Sequence, residues 1–217
     1  ESMIDAEAAR LTLATDEPEN WLNHGRTYDE QRHSPLTQIN TDNVSDLGLE
    51  WSFDMYTARG VEAAPLVVDG VMYVTSSWAV VYALDAKTGQ LIWDFDPETD
   101  RAWGVNACCD VVHRGVAYYD GKIYVGTIDG YLIALDASSG EKLWDTLTID
   151  KTKPYTITGA PRVVKGKVLI GNGGAEYGVR GYISAYDADT GDMAWRFYTV
   201  PGDPADGFEN ETIKKAA

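Results

Sequence analysis

The chain has two cysteines, Cys108 and Cys109, and they are neighbours. Two readings follow from the residues alone. A pair of buried thiols is the commoner state of adjacent cysteines in a reducing compartment. A disulfide between them closes a ring across Cα atoms about 3.8 Å apart, below the roughly 4.4–6.8 Å usual for bridged cysteines. Such a ring strains its peptide, and it needs an oxidising compartment and a purpose. The other unusual segment is Gly171-Asn172-Gly173-Gly174-Ala175-Glu176, a carboxylate in a run of small residues. Taken alone, Glu176 reads as a solvated loop acid. His24, His33 and His113 are scattered without metal-ligand spacing and read as structural. Asp110 has no evident role as a base.

A repeat sets where these residues must lie. Ala83 to Trp93 (ALDAKTGQLIW), Ala134 to Trp144 (ALDASSGEKLW) and Ala185 to Trp195 (AYDADTGDMAW) share Ala first, Asp third, Gly seventh and Trp eleventh. The tryptophans fall at 93, 144 and 195, and both steps are 51. A fixed period of this size marks a stacked or radial array. Each segment reads as a strand, a turn in which Gly89, Gly140 or Gly191 supplies positive φ, and a second strand bearing Trp. Upstream, Asp69-Gly70, Asp120-Gly121 and Lys165-Gly166 sit between apolar or aromatic runs and predict a second hairpin. Two hairpins per period make a four-stranded propeller blade, with the Trp wedged between blades. The expected fold is therefore an all-β propeller. Residues 51–217 carry the blades with 51-residue tryptophan spacing, and residues 1–50 form an N-terminal segment and a partial closing blade. Trp51 ends an earlier partial repeat. Three full repeats are fewer than the four to eight that usually close a ring, so the natural protein is expected to continue beyond this chain.

The equal Trp steps conceal two insertions of 6 residues. Hairpin Gly to Trp takes 23, 23 and 29 residues, whereas Trp to the next hairpin Gly takes 28 and then 22. One insertion, between Trp93 and Gly121, contains the cysteines. The other, between Gly166 and Trp195, contains the glycine-rich loop. Insertions in a repeat array fall in loops, and loops on a rigid scaffold carry function.

Composition narrows the classes. Lys+Arg 18 against Asp+Glu 34 gives −16, which repels nucleic acid and anionic lipid. No apolar run reaches about 18 residues, so no membrane-spanning helix is expected. The start, Glu1-Ser2-Met3-Ile4, lacks the basic and apolar regions of a signal peptide, as in a mature chain or one that never had a leader.

The repeat resembles the tryptophan-docking motif of the quinoprotein alcohol dehydrogenases. So do Asn20-Trp21, Gly25-Arg26-Thr27-Tyr28, Ser34-Pro35-Leu36 and Gly60-Val61-Glu62-Ala63-Ala64-Pro65. Ala107-Cys108-Cys109-Asp110 with Arg114-Gly115, and Gly173-Gly174-Ala175-Glu176 with Gly178-Val179-Arg180-Gly181, complete the resemblance. It runs from about Asn20 to Ala217, and the cysteine and Glu62 contexts are closest to the quinohaemoprotein ethanol-oxidising branch.

The resemblance implies an eight-bladed propeller holding pyrroloquinoline quinone (PQQ) and calcium, or a lanthanide in its place. It implies a Cys108–Cys109 disulfide lying flat on the quinone. Arg114, Thr158 and Glu62 would contact cofactor oxygens or carboxylates. Gly174 and Ala175 would offer backbone N–H groups, and Glu176 would ligate the metal. A small primary alcohol would be oxidised by hydride transfer to the quinone, with an Asp base beyond Ala217. Electrons would pass to a cytochrome c or to a haem c domain, in the periplasm. Two other readings stand beside this one: a non-catalytic propeller scaffold, in which the Trp repeat serves only architecture, and a sugar-oxidising relative with the same cofactor.

Overall fold

The computed structural model describes residues 3–216. Three antiparallel four-stranded sheets follow one another along the chain. The first comprises β1 (Leu66–Val68), β2 (Val71–Thr75), β3 (Val81–Asp85) and β4 (Leu91–Phe95). The second comprises β5 (Ala117–Tyr119), β6 (Lys122–Gly126), β7 (Tyr131–Asp136) and β8 (Lys142–Leu147). The third comprises β9 (Arg162–Val164), β10 (Lys167–Gly171), β11 (Tyr182–Asp187) and β12 (Met193–Tyr198). Strands neighbour one another in chain order, so each sheet is a meander and each is one blade. Helix α1 (Met3–Thr12) precedes the blades and α2 (Glu211–Ala216) follows them.

Local chemistry explains both hairpins. The first turns have φ 50° at Asp69 and 84° at Gly70, 48° at Asp120 and 69° at Gly121, and 50° at Lys165 and 68° at Gly166. Two successive positive φ values give the twist that a two-residue hairpin needs. In the second hairpin the repeat's Asp closes the turn. Asp85 accepts the N–H groups of Lys87 and Thr88, Asp136 those of Ser138 and Ser139, and Asp187 those of Asp189 and Thr190. Hydroxyl donation from Thr88 and Ser138 leads in holding the Asp85 and Asp136 carboxyls below their ordinary range, and the Lys167 ammonium leads for Asp187. The first and eleventh repeat residues are cross-strand partners: Ala83 with Trp93, Ala134 with Trp144, and Ala185 with Trp195. A small side chain thus faces each indole.

Trp93 and Trp144 dock onto the following blade. Trp93 Nε1–H donates to the Ala137 carbonyl at 3.0 Å, and the Tyr73 hydroxyl donates to the same oxygen at 3.0 Å. Trp144 and Tyr124 repeat this at Ala188, at 3.3 and 3.0 Å. A Cβ at Gly140 would stand 2.6 Å from the Trp93 ring, and one at Gly191 would stand 2.7 Å from the Trp144 ring. Each repeat glycine therefore makes its own turn and leaves room for the indole of the blade before. Trp51 occupies the same place against Gly89. The buried core, including Tyr119, Ile123, Tyr124, Leu132, Leu135 and Val168, fills the space between successive blades.

Strand direction decides which loops meet. Leu66 pairs with Tyr73 and Val68 with Val71, so the start of β1 and the end of β2 share one end of the sheet, opposite the Asp69-Gly70 turn. The pairs β5–β6 and β9–β10 have the same register. In every blade, the segment leading into the first strand and the loop leaving the second lie on one rim. Both insertions emerge there.

Candidate functional site

Three rim segments, 60–65, 111–116 and 156–161, lead into β1, β5 and β9. Backbone bonds lace them together: Ala64 N–H to the Arg114 carbonyl at 3.4 Å, and Arg114 N–H to the Thr158 carbonyl at 3.0 Å. Side chains follow the same path. Arg114 Nη2 lies 3.1 Å from Glu62 Oε2, and Arg114 Nη1 donates to Thr158 Oγ1 at 2.7 Å. Glu62, Arg114 and Thr158, each from a different blade, thus form one cluster. The Arg114 and Glu62 side chains remain 44 and 46% exposed, so a guanidinium with unused donors faces solvent on the rim.

The residue before Arg114 sets its backbone. His113 is buried, with Nε2 2.8 Å from the Gly126 carbonyl and Nδ1 2.9 Å from Thr75 Oγ1. Gly115 N–H donates to Nδ1 at 3.3 Å. The carbonyl can only accept, so the proton sits on Nε2 and Nδ1 is the acceptor. Burial pushes the imidazole down to about 4. The structural reading of His113 holds in a specific form: it ties the ends of β2 and β6 to the strand segment carrying Arg114.

Cys108 and Cys109 are disulfide-bonded, with Cα atoms 3.8 Å apart. Both are exposed, so the buried-thiol reading falls. They follow a 3₁₀ turn, Arg101–Asn106, whose Trp103 Nε1–H donates to the Tyr155 carbonyl at 2.8 Å. That bond fastens the cysteine loop to the segment carrying Thr158. Asp110 pairs with Arg59, a contact that sequence spacing does not reveal.

The glycine-rich loop adjoins the same segment. Gly173 N–H donates to the Thr156 carbonyl at 2.7 Å, and Thr156 N–H returns to the Gly173 carbonyl at 3.3 Å. Asn172 Oδ1 accepts from Tyr182 N–H at 2.9 Å, fixing the loop's first bend. Gly174 has φ 105°, and a Cβ there would stand 2.5 Å from the Pro154 carbonyl oxygen. Only glycine fits. Among the described residues, no acceptor takes the N–H groups of Gly174 and Ala175. Ala175 and Glu176 are exposed at a 3₁₀ turn, Ala175–Tyr177. No group of three or more His, Cys, Asp or Glu side chains able to hold a metal is found among the described residues, so Glu176 would need oxygen donors from elsewhere. An open cavity of about 500 Å³ is lined by Arg114, Thr158, Gly159, Asn172 and Gly173.

This donor set fits a planar polyanion. It offers a guanidinium fork, a hydroxyl, free backbone N–H groups where no Cβ intrudes, and an exposed disulfide on the same rim. Fold and site together define a sector of a β-propeller whose rim gathers a candidate binding cluster. The family model described as "PQQ: Glucose/ethanol/alcohol dehydrogenase, beta-propeller domain" matches residues 21–217, and the chain belongs to that family. It is 60% identical over 201 residues to the quinohemoprotein alcohol dehydrogenase ADH-IIG of Pseudomonas putida, covering 92% of this chain and 28% of that protein. The solved structure of ADHIIG from Pseudomonas putida HK5 superposes with a TM-score of 0.94 at 59% identity, over 96% of this chain and 31% of that one. A europium-containing methanol dehydrogenase gives a TM-score of 0.85 at 46% identity, over 91% of this chain and 34% of that one. The chain thus spans under a third of the length of these curated relatives. No helix among the described residues is long and apolar enough to cross a membrane.

Proposed function

We propose that this chain forms one wall of the quinone site in a dehydrogenase that oxidises primary alcohols to aldehydes and passes electrons to a cytochrome c or a haem domain. The observation that carries this reading is the bridge of Arg114 between Glu62 and Thr158, on the rim from which the vicinal disulfide also projects. Residues 51–217 then supply the first blades, and residues 1–50 the N-terminal segment and partial closing blade.

Arg114 supplies the positive charge that an anionic ring needs at its carbonyl and carboxylate edge. Thr158 Oγ1 accepts from Arg114, which leaves its O–H free to donate outwards. Glu62 would lie beside a cofactor carboxylate, and its pairing with Arg114 offsets the repulsion between the two. Gly174 and Ala175 would offer their unclaimed N–H groups to an anionic oxygen. The disulfide offers a rigid, polarizable plate. Glu176 brings one oxygen to a hard cation. A quinone held by these residues would supply the hydride acceptor for alcohol oxidation, and a cation beside Glu176 would supply the Lewis acid. Calcium suits the oxygen donor, and the europium of the methanol dehydrogenase neighbour supports a lanthanide as the variant. The base that removes the alcohol proton is expected elsewhere in the complete protein, so this chain binds and orients but does not turn over. An exposed disulfide persists in an oxidising compartment, which supports a periplasmic location.

The test is titration of the metal- and quinone-free complete protein with PQQ and calcium, followed by absorbance, and then dye-linked ethanol oxidation. Arg114→Met is expected to weaken quinone binding by about 100-fold, the scale of one lost bidentate charge-assisted contact. Absence of quinone binding and of calcium-dependent activity would return the chain to the scaffold reading. Glucose oxidised in preference to ethanol would favour the sugar-oxidising one.

A further inference from the structure

Four of the chain's seven tryptophans belong to the docking pattern, at 51, 93, 144 and 195. Trp78 does not. It lies in the loop between β2 and β3, on the rim that bears the disulfide. Its backbone is left-handed, with φ 68° and ψ 16°, and Ala79 follows at φ 62°. Two consecutive non-glycine residues in that region are unfavourable, and they persist only where surrounding contacts over-determine them.

Those contacts lead to one place. Trp78 N–H donates to the Val111 carbonyl at 3.0 Å, and Thr99 Oγ1 donates to the Trp78 carbonyl at 3.3 Å. A Cβ at Gly104 would stand 2.8 Å from Trp78 Cη2, so the indole lies directly against the 3₁₀ turn that precedes the cysteines. The Arg101 guanidinium sits 4.4 Å from the ring centroid. The Arg59 guanidinium sits 5.8 Å from it and also pairs with Asp110, the residue after Cys109. The segment carrying Arg59 is itself held from the Trp78 loop, where the Ser77 hydroxyl donates to the Gly60 carbonyl at 3.3 Å. The loop from 99 to 111 is therefore tied to Trp78 on both sides of the disulfide: Thr99 and Val111 bond its backbone, Arg101 and Gly104 lie against its indole, and Asp110 is reached through Arg59.

We propose that Trp78 is a positioning residue for the Cys108–Cys109 disulfide. Its strained backbone presents the indole as an anvil on which blade 1 holds the cysteine loop of blade 2, so that the disulfide plane is preset before a ligand arrives. A plate that must lie flat against a ring gains affinity from being fixed beforehand, because no ordering of the loop is then charged to binding. This deepens the quinone-site reading and rests on it only for the binding arm of the test.

The experiment uses the complete protein in three forms, wild type, Trp78→Ala and Trp78→Phe, with Arg101→Met as an exposed substitution that spares the fold. The first arm follows reduction of the disulfide by excess dithiothreitol, read by alkylation of Cys108 and Cys109 and mass spectrometry, in 0 to 1 M urea. Trp78→Ala is expected to raise the reduction rate about tenfold, with a rate nearly flat in urea. Opening of the loop alone exposes little surface, whereas global unfolding gives a steep dependence. Trp78→Phe restores most of the protection, and Arg101→Met shows an intermediate rate. The second arm measures the PQQ dissociation constant, expected to rise about tenfold in Trp78→Ala. Reduction of Trp78→Ala and Arg101→Met at the wild-type rate, or acceleration that tracks global unfolding in urea, overturns the proposal. Failure of the wild type itself to bind PQQ sinks the quinone-site reading while the reduction arm still decides the role of Trp78.

Discussion

Acidification should destabilise the rim through His113. The folded imidazole is neutral, donating from Nε2 to the Gly126 carbonyl and accepting at Nδ1 from Thr75 and Gly115. Protonation would place a charge in a fully buried site, and beside the Arg114 guanidinium, which is why the group is pushed down to about 4. In the unfolded chain an imidazole takes its proton near 6.5. Between those values the unfolded state binds more protons, so stability rises with pH there and is lost as the pH falls from about 6.5 towards 4. The full span corresponds to about 3 kcal/mol. The measurement is the urea midpoint at several pH values from 7.5 to 4, for the wild type and for His113→Gln, which cannot take the proton. Acidic groups and the other histidines are common to both chains and cancel in the difference. The two curves should diverge at high pH, where the wild type keeps its imidazole bonds, and converge as the pH approaches 4. Parallel curves across that window would refute the buried neutral assignment.

Three further outcomes follow from the interblade geometry. Gly140→Ala combines a left-handed φ of 74° with a Cβ 2.6 Å from Trp93, and is expected to cost about 3 kcal/mol in chemical denaturation. Gly121→Ala has φ 69° but nothing within 4 Å, and should cost about 1 kcal/mol; equal losses would show that the indole does not seat on the glycine. Tyr124→Phe and Trp144→Phe each leave the buried Ala188 carbonyl one donor, whereas the double variant leaves none. A double-mutant cycle should therefore show a loss about 1 kcal/mol larger than the sum of the singles.

Much of the scaffold was legible because it is local chemistry repeated. Asp before a turn, Gly at positive φ and Ala opposite Trp recur at a period of 51, and each acts within a few residues of itself. Counting also located both insertions, since a loop can lengthen without disturbing a strand register. Resemblance, rather than spacing, selected Glu62, Arg114 and Thr158. The structure brings them within hydrogen-bond reach of one another. Trp78, Arg59 and the Asp110 pairing escaped the sequence reading. The only signal was a tryptophan and an acid that the repeat leaves unexplained.

The sequence by itself determined the blade: its strands, its turns and the seat for each neighbour's indole, all set by interactions between residues near in the chain. Tertiary structure alone decided the rim. Antiparallel pairing puts the start of each inner strand and the end of its partner at the same end of the sheet. Stacking of blades then carries Glu62, Arg114 and Thr158, far apart in sequence, into one charged cluster. No periodicity encodes such a meeting, because it depends on how whole sheets pack against one another.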